Sequence, residues 1–275
     1  MKLRNVSRRF DDTIAVDAYD TTVAFKCQVE PFDYVKIDGA SVKRRVMATA
    51  PGILIPARQV IMIEDQPYII GDSSTDHWKG RPVRNRYVLQ GADYLVDVLS
   101  IPQLLASQAG TQAYASIEFN KYSTDSRDSS DYMPQYHIFF GNEVVPLNSI
   151  VKADGRHYLV MNSHRTVAGL VDALSNELES PVVDSASFKV RTYNPITDSY
   201  TEVATTVRCI KVRWQDHFSY LTQDSTKYLP GDMQVFIPDG VSHKAGDGVT
   251  IGATDWTILS TIQENGYQSL HVRRK

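Results

Sequence analysis

The sequence predicts an all-β protein of three small barrel-like or sandwich-like domains with one or two short helices. Three observations lead there. A unit made of an apolar strand, a turn and a hairpin whose returning strand opens on an aromatic residue is written three times. Fifteen Tyr, beside many Val, Ile and Thr, favour strands, while 12 Pro and 15 Gly supply turns. Helical periodicity is confined to two stretches.

The first copy runs Gly52-Ile53-Leu54-Ile55-Pro56, then Val60-Ile61-Met62-Ile63, and returns at Tyr68-Ile69-Ile70. The second is Tyr136-His137-Ile138-Phe139-Phe140, then Ile150-Val151, returning at Tyr158-Leu159-Val160 across Asp154-Gly155, a strong hairpin signal. The third is Met233-Gln234-Val235-Phe236-Ile237, then Val249-Thr250-Ile251, returning at Trp256-Thr257-Ile258-Leu259. An alternating strand pair precedes the first and last copies. Thr13 to Val16 and Thr22 to Val29 flank Asp17-Ala18-Tyr19-Asp20, and Ser187 to Tyr193 and Glu202 to Val212 flank Asn194-Pro195. The middle third has a shorter version around Ala115 to Phe119. The expected domains are therefore 1–95, 96–182 and 183–275.

From Thr166, a plausible N-cap, the apolar positions Val167, Leu170, Val171, Leu174 and Leu178 follow helical spacing, so an amphipathic helix is expected near 166–179. A shorter one is expected within Asp93 to Leu105, broken near Pro102. Glu179-Ser180-Pro181 ends the first helix and opens the last domain.

A net charge of −3 gives no general drive toward nucleic acid or an anionic membrane. The first residues carry no apolar signal core, and no apolar run has membrane-spanning length, so the expectation is a soluble protein made in the cytoplasm. Cys27 and Cys209 sit in apolar-alternating stretches and read as small buried hydrophobes, not as a disulfide pair.

No motif for a catalytic nucleophile, a phosphate-cradling loop or a zinc site occurs, so no catalytic, cofactor or metal residues are assigned. Asp125, Asp128 and Asp131 lack the ligand rhythm of a calcium loop and read as a solvated segment. Asp76-His77 beside Trp78 and Asp216-His217 near Trp214 place polar and aromatic groups together. Neighbours on a strand face opposite ways, so these read as surface or interface residues. Phe218, Tyr220, Leu221 and Tyr228 lie in the long polar stretch 215–230 and are candidate contact residues. The basic ends, Arg4, Arg8 and Arg9 at the start and Arg273, Arg274 and Lys275 at the finish, are candidates for docking on acidic neighbours.

The last third carries a resemblance. Lys244 to Ile251, Trp256 to Ser260 and Tyr267 to Val272, approached by Thr192-Tyr193-Asn194-Pro195, Ile210 to Arg213 and Gly231 to Ile237, resemble the closing strands of tailed-phage head-closure proteins, also called stopper or head-tail joining proteins. The likeness covers Ser187 to Lys275; the first third repeats the outline loosely, and the middle shares only the strand and hairpin. It implies a homo-oligomeric β-barrel ring in the virion neck, between a portal or adaptor protein above and a tail protein below. DNA passes its centre without sequence-specific contact, and residues 215–230 lie nearest the channel. At about three times the length of a simple stopper, the chain leaves stopper, adaptor-to-tail joint and collar open. A tail-terminator or baseplate part is the nearby alternative. A carbohydrate-binding β-module using Trp78, Trp214 and Trp256 as stacking platforms is the alternative from another class.

Overall fold

The computed structural model describes residues 13–30, 33–37, 40–119, 135–141, 143–166, 170–179, 182–194, 196, 198–213 and 231–275. Within 33–43, 190–194 and 199–203 only the backbone is described. The chain is all-β with barrel-like domains, as expected.

The first set of strands is β1 (Thr13–Asp17), β2 (Ala24–Val29), β3 (Asp33–Ile37), β4 (Ala40–Thr49), β5 (Val60–Ile63), β6 (Gln66–Trp78) and β7 (Arg81–Gly91). The second is β8 (Tyr94–Leu99), β9 (Thr111–Phe119), β10 (Gln135–Phe140), β11 (Ile150–Ala153), β12 (Arg156–Arg165) and β13 (Val171–Glu177). The third is β14 (Val183–Asn194), β15 (Ser199–Arg213), β16 (Met233–Pro238), β17 (Gly248–Ile251), β18 (Thr254–Glu264) and β19 (Tyr267–Arg274). Sets two and three are closed six-stranded barrels. In the first, the pairings β1–β2, β2–β4, β4–β7, β7–β6, β6–β5 and β5–β1 also return to their starting strand, with β3 added on the outside of β4. If β3 is set aside, all three rings run in the same order: first, second, third, sixth, fifth, fourth. The repeat read from sequence is one barrel wound three times.

Local details repeat with it. The chain enters the fourth strand through a left-handed residue, Arg58 (φ 71°), Asn148 (φ 61°) or Gly246 (φ 92°). The N–H of that residue donates to the carbonyl of Ile70, Val160 or Ile258 in the fifth strand, and the next residue's carbonyl accepts from the same partner. Right after that partner, at Ile70, Val160 and Ile258, the fifth strand shifts register against the sixth. Such a bulge bends the fifth strand away from its hairpin partner and around the barrel. The hairpin tips use Glu64-Asp65 and Asp154-Gly155, both residues left-handed as a type I′ turn requires, and Gly252 in the third.

Inside, each barrel holds one apolar core. Ile61, Ile63, Tyr68, Ile70 and Leu89 build the first, Ile138, Phe140, Val151, Tyr158 and Val160 the second, and Phe188, Val235, Ile237, Val249 and Ile258 the third. Cys27 and Cys209 are free, fully buried and equivalent, each inside the second strand of its barrel. Burial pushes their thiols up to about 11 and about 12.

Three sequence expectations need correction. The amphipathic helix near 166–179 is instead strand β13 over Val171–Glu177, flanked by β10 and β12. Both of its faces are largely buried, and a strand covered on both sides gives a near-continuous apolar run that spacing alone does not separate from a helix. Pro102 does not break a helix but begins one. Tyr94–Leu99 is strand, and the short helix α1 (Ile101–Leu105) starts at the Ser100 N-cap, whose side chain pairs with Gln103 in a capping box. In the first copy, Gly52 to Pro56 forms a loop across the barrel end and not a strand. Asn85 Nδ2 donates to the Ile53 carbonyl at 2.8 Å, and Tyr87 Oη donates to it at 3.0 Å, which drops Ile55 into the core and leaves Leu54 80% exposed. Val145 and Val144 repeat this, one 3% and the other 81% exposed.

The chain divides into two compact units, one holding the first two barrels and the other holding α1 and the third barrel. In the first unit the two barrels meet closely at Gly141, where a Cβ would overlap the carbonyl oxygen of Arg58. Gly141→Ala is expected to destabilise this unit by about 1–3 kcal/mol, the usual penalty of overpacking, read as a lower urea midpoint. Gly52→Ala, with nothing within 4 Å of its Cβ, is the unperturbed control. The native chain is expected to show no thiol reactive toward an aromatic disulfide at pH 8, and both of its thiols once unfolded.

Candidate functional site

With no reactive cluster expected, the surfaces that join barrels are the first place to look for function. Within the first unit, the seam is built on the opening pair of the first barrel's hairpin, Val60 and Ile69. Both point out of the barrel and pack with Ala92, Leu170 and Tyr114. Around this apolar centre Tyr19 donates from its hydroxyl to Glu143 at 3.2 Å, accepts from the Tyr114 N–H at 3.4 Å, and tilts against the Tyr114 ring at 5.8 Å. Burial, foremost, pushes the Tyr19 phenol up to about 12, so it stays protonated and can go on donating.

The equivalent opening pair of the second barrel is Ile150 and Leu159, both fully buried. In the third it is Gly248 and Thr257, both half-buried. Two branched aliphatics have given way to a glycine and a hydroxyl. Lys275 lies over this position, with its Nζ 2.9 Å from where a Gly248 Cβ would stand. Of the basic C-terminal residues, Lys275 thus covers the third barrel's version of the seam, and Arg274 sits opposite Trp256 in the β18–β19 ladder.

Arg273 does something different. Its guanidinium donates through Nε at 2.8 Å and Nη2 at 2.9 Å to Asp232, a carboxylate only 2% exposed, which also accepts from His271 Nε2 at 2.7 Å. Asp232 lines a cavity of about 310 Å³ at the end of the third barrel, with Lys211, Arg213, Glu179 and Trp256. The other charges there are matched as well: Lys211 with Asp184 at 2.8 Å and Arg213 with Glu179 at 3.0 Å. The Lys211 ammonium, followed by the Ser185 N–H, holds the Asp184 carboxyl below its usual range. The carboxylate of Asp232 is occupied by cationic and imidazole donors, which suits a structural tie and not a general base. A second buried carboxylate, Asp172, takes His137 Nδ1 at 2.9 and 3.0 Å on the β10–β13 seam, with His164 4.0 Å away.

Sequence reasoning missed both ties because the partners lie 35 and 39 residues apart and meet only when the third strand pairs with the sixth. Asp76 and His77 take separate partners. Asp76 pairs with Arg84 at 2.5 Å, and His77 Nδ1 faces the Thr75 carbonyl at 3.0 Å, on the β6–β7 hairpin whose tip leaves Trp78 63% exposed. Trp256, in contrast, packs against the third core. Among the described residues no group of three or more His, Cys, Asp or Glu converges as a metal site. Phe218, Tyr220, Leu221 and Tyr228 lie outside the described residues, as do Arg4, Arg8, Arg9, Asp125, Asp128, Asp131, Trp214, Asp216 and His217. No protein-family model, curated protein or solved structure matches this chain.

Replacing Asp232 by Asn is expected to destabilise the third barrel by on the order of 3 kcal/mol, as loss of one partner of a buried ion pair does. His271 adds a pH dependence. Burial lowers its pKa and outweighs the raising effect of Asp232, so the unfolded imidazole binds a proton more readily than the folded one. Its stability contribution is therefore complete above the ordinary histidine value of 6.5 and declines as pH falls below it. Urea midpoints measured from pH 8 to 5 are expected to drop less in His271→Gln than in the native chain.

Proposed function

We propose that this chain is a non-enzymatic structural subunit of a tailed-phage neck, forming a homo-oligomeric ring at the head-to-tail junction with a DNA path through its centre. The observation that carries the proposal is one barrel wound three times, with its buried carboxylates Asp172 and Asp232 tied up in structural pairs and the outer hairpin position of the first barrel spent on packing. That is how a building part is made, since a sheet scaffold and not a chemical site is what is repeated. The resemblance of Ser187 to Lys275 to head-closure proteins supplies the location. Three barrels in one chain account for a length about three times that of a simple stopper.

The ring is read as taking a portal or adaptor protein on one side and a tail protein on the other, with Arg274 and Lys275 at the exposed end of the last strand available to acidic neighbours. A chain with net charge −3 suits a conduit, because a strongly basic lumen would gain affinity for DNA by counterion release and hold it. Among the described residues, the exposure of Trp78 favours the carbohydrate-binding alternative.

Electron cryomicroscopy of intact particles tests the proposal, with density for this chain expected as a closed ring at the neck. Density only at the tail end moves the chain to the terminator or baseplate reading. Absence from particles, together with glycan binding lost in Trp78→Ala, would replace the proposal by the carbohydrate module.

A further inference from the structure

Closed barrels have no free edges, but the hairpins of this chain outrun their barrels. The longest is β14–β15, registered over twelve residue pairs from Val183↔Ile210 to Asn194↔Ser199. The barrel uses only its base: β17 pairs with Ala186 to Phe188 and β16 with Ile210 to Arg213. Beyond that, Val190–Asn194 and Ser199–Val203 pair with each other, and among the described residues no strand adds to either outer edge. At about 3.4 Å per residue the arm extends about 17 Å past the barrel.

This arm differs from the two other hairpins that outrun the pairing around them: β3–β4, which carries Lys36 and Lys43 and leaves the outer edge of β3 without a strand among the described residues, and β6–β7. The tip of β6–β7 carries Pro82, which has no N–H, with Lys79 and Arg81 beside it, the features that protect an edge from strand addition. Neither β14 nor β15 contains a proline, so both outer edges keep their donors throughout. The apolar seam, the alternative route for adding another body, is replaced on the third barrel by Gly248, Thr257 and the overlying Lys275. A polar outer face of this kind offers another body no apolar seam.

We propose that copies of this chain join through the β14–β15 arm, the outer edge of β15 in one copy pairing antiparallel with the outer edge of β14 in the next. The occupant of the edge is a second copy because this chain holds both complementary edges, on opposite sides of one hairpin. When all arms point the same way around an axis, β14 and β15 alternate in direction from copy to copy, so every junction is antiparallel. A contact between two different edges is heterologous and closes into a ring when its rotation closes. The inference rests on the ring reading given above and names the element that closes it.

The test replaces residues 190–203 by Asn-Gly, joining Lys189 to Ala204 through a tight turn. Analytical ultracentrifugation of the full chain is expected to show concentration-dependent association, and the shortened chain is expected to remain monomeric with Cys209 still unreactive. Should the shortened chain misfold, the second measurement decides. Thr192 and Thr201 are backbone partners within one arm. With neighbouring copies in the same register as the two strands of one arm, Thr201 of one copy meets Thr192 of the next, so a mixture of Thr192→Cys and Thr201→Cys chains is expected to give an interchain disulfide under mild oxidant that neither gives alone. Association of the shortened chain equal to that of the full chain, a full chain monomeric at every concentration, or a mixture no more cross-linked than its components would overturn the proposal. A ring at the neck of particles carrying the shortened chain would remove the arm and leave the neck reading standing.

Discussion

Closure of each six-stranded sheet is the constraint from which the rest of the structure follows. A short open sheet leaves rows of backbone donors and acceptors unpaired, and closure removes them only if the strands bend and re-pair within very few residues. Here the bend is supplied by the shifted register after Ile70, Val160 and Ile258, and the re-pairing by the left-handed entry at Arg58, Asn148 and Gly246. Only one of those three entries is a glycine. Arg58 and Asn148 adopt φ values that are uncommon for residues with a side chain, and both are held there by the two backbone hydrogen bonds to the fifth strand. The backbone at this corner is kept even where the residue is unfavourable, because the ring depends on it.

Once the sheets are closed, the side chains on their outer faces decide what the barrels do next. Val60 with Ile69 gives an apolar seam, Ile150 with Leu159 a fully buried pair, and Gly248 with Thr257 a polar surface under a lysine. The same backbone position therefore serves as glue or as a polar surface according to two residues. The strand pairs between third and sixth positions follow a similar logic in polar form. Asp172 with His137, and Asp232 with His271 and Arg273, are carboxylates taken out of water and supplied with donors, which fixes the pairing at the seam where each ring closes.

Much of this was legible in the sequence, in proportion to how local the cause is. The Asp154-Gly155 turn and the apolar runs Val60 to Ile63 and Tyr68 to Ile70 on either side of a polar break mark hairpins because turn chemistry acts over a few residues. The equivalence of Tyr68, Tyr158 and Trp256 is likewise visible, although each is the third residue of its returning strand and not the first. What failed was local pattern under non-local burial. Val171–Glu177 reads as a helix face because neighbours on both sides cover it, and Gly52 to Pro56 reads as a strand until Asn85 and Tyr87 strap it across the barrel end. The ties at Asp172 and Asp232 left no local trace at all.

The central claim is that closed barrels, the third with a polar outer face, leave the β14–β15 arm as the surface by which copies are proposed to meet. Hydrogen exchange of the full chain, followed by mass spectrometry at low and high concentration, tests it most directly. The account predicts that slowing of exchange with concentration is concentrated in residues 190–203. Slowing confined to the β17–β18 hairpin, with the arm unchanged, would contradict it.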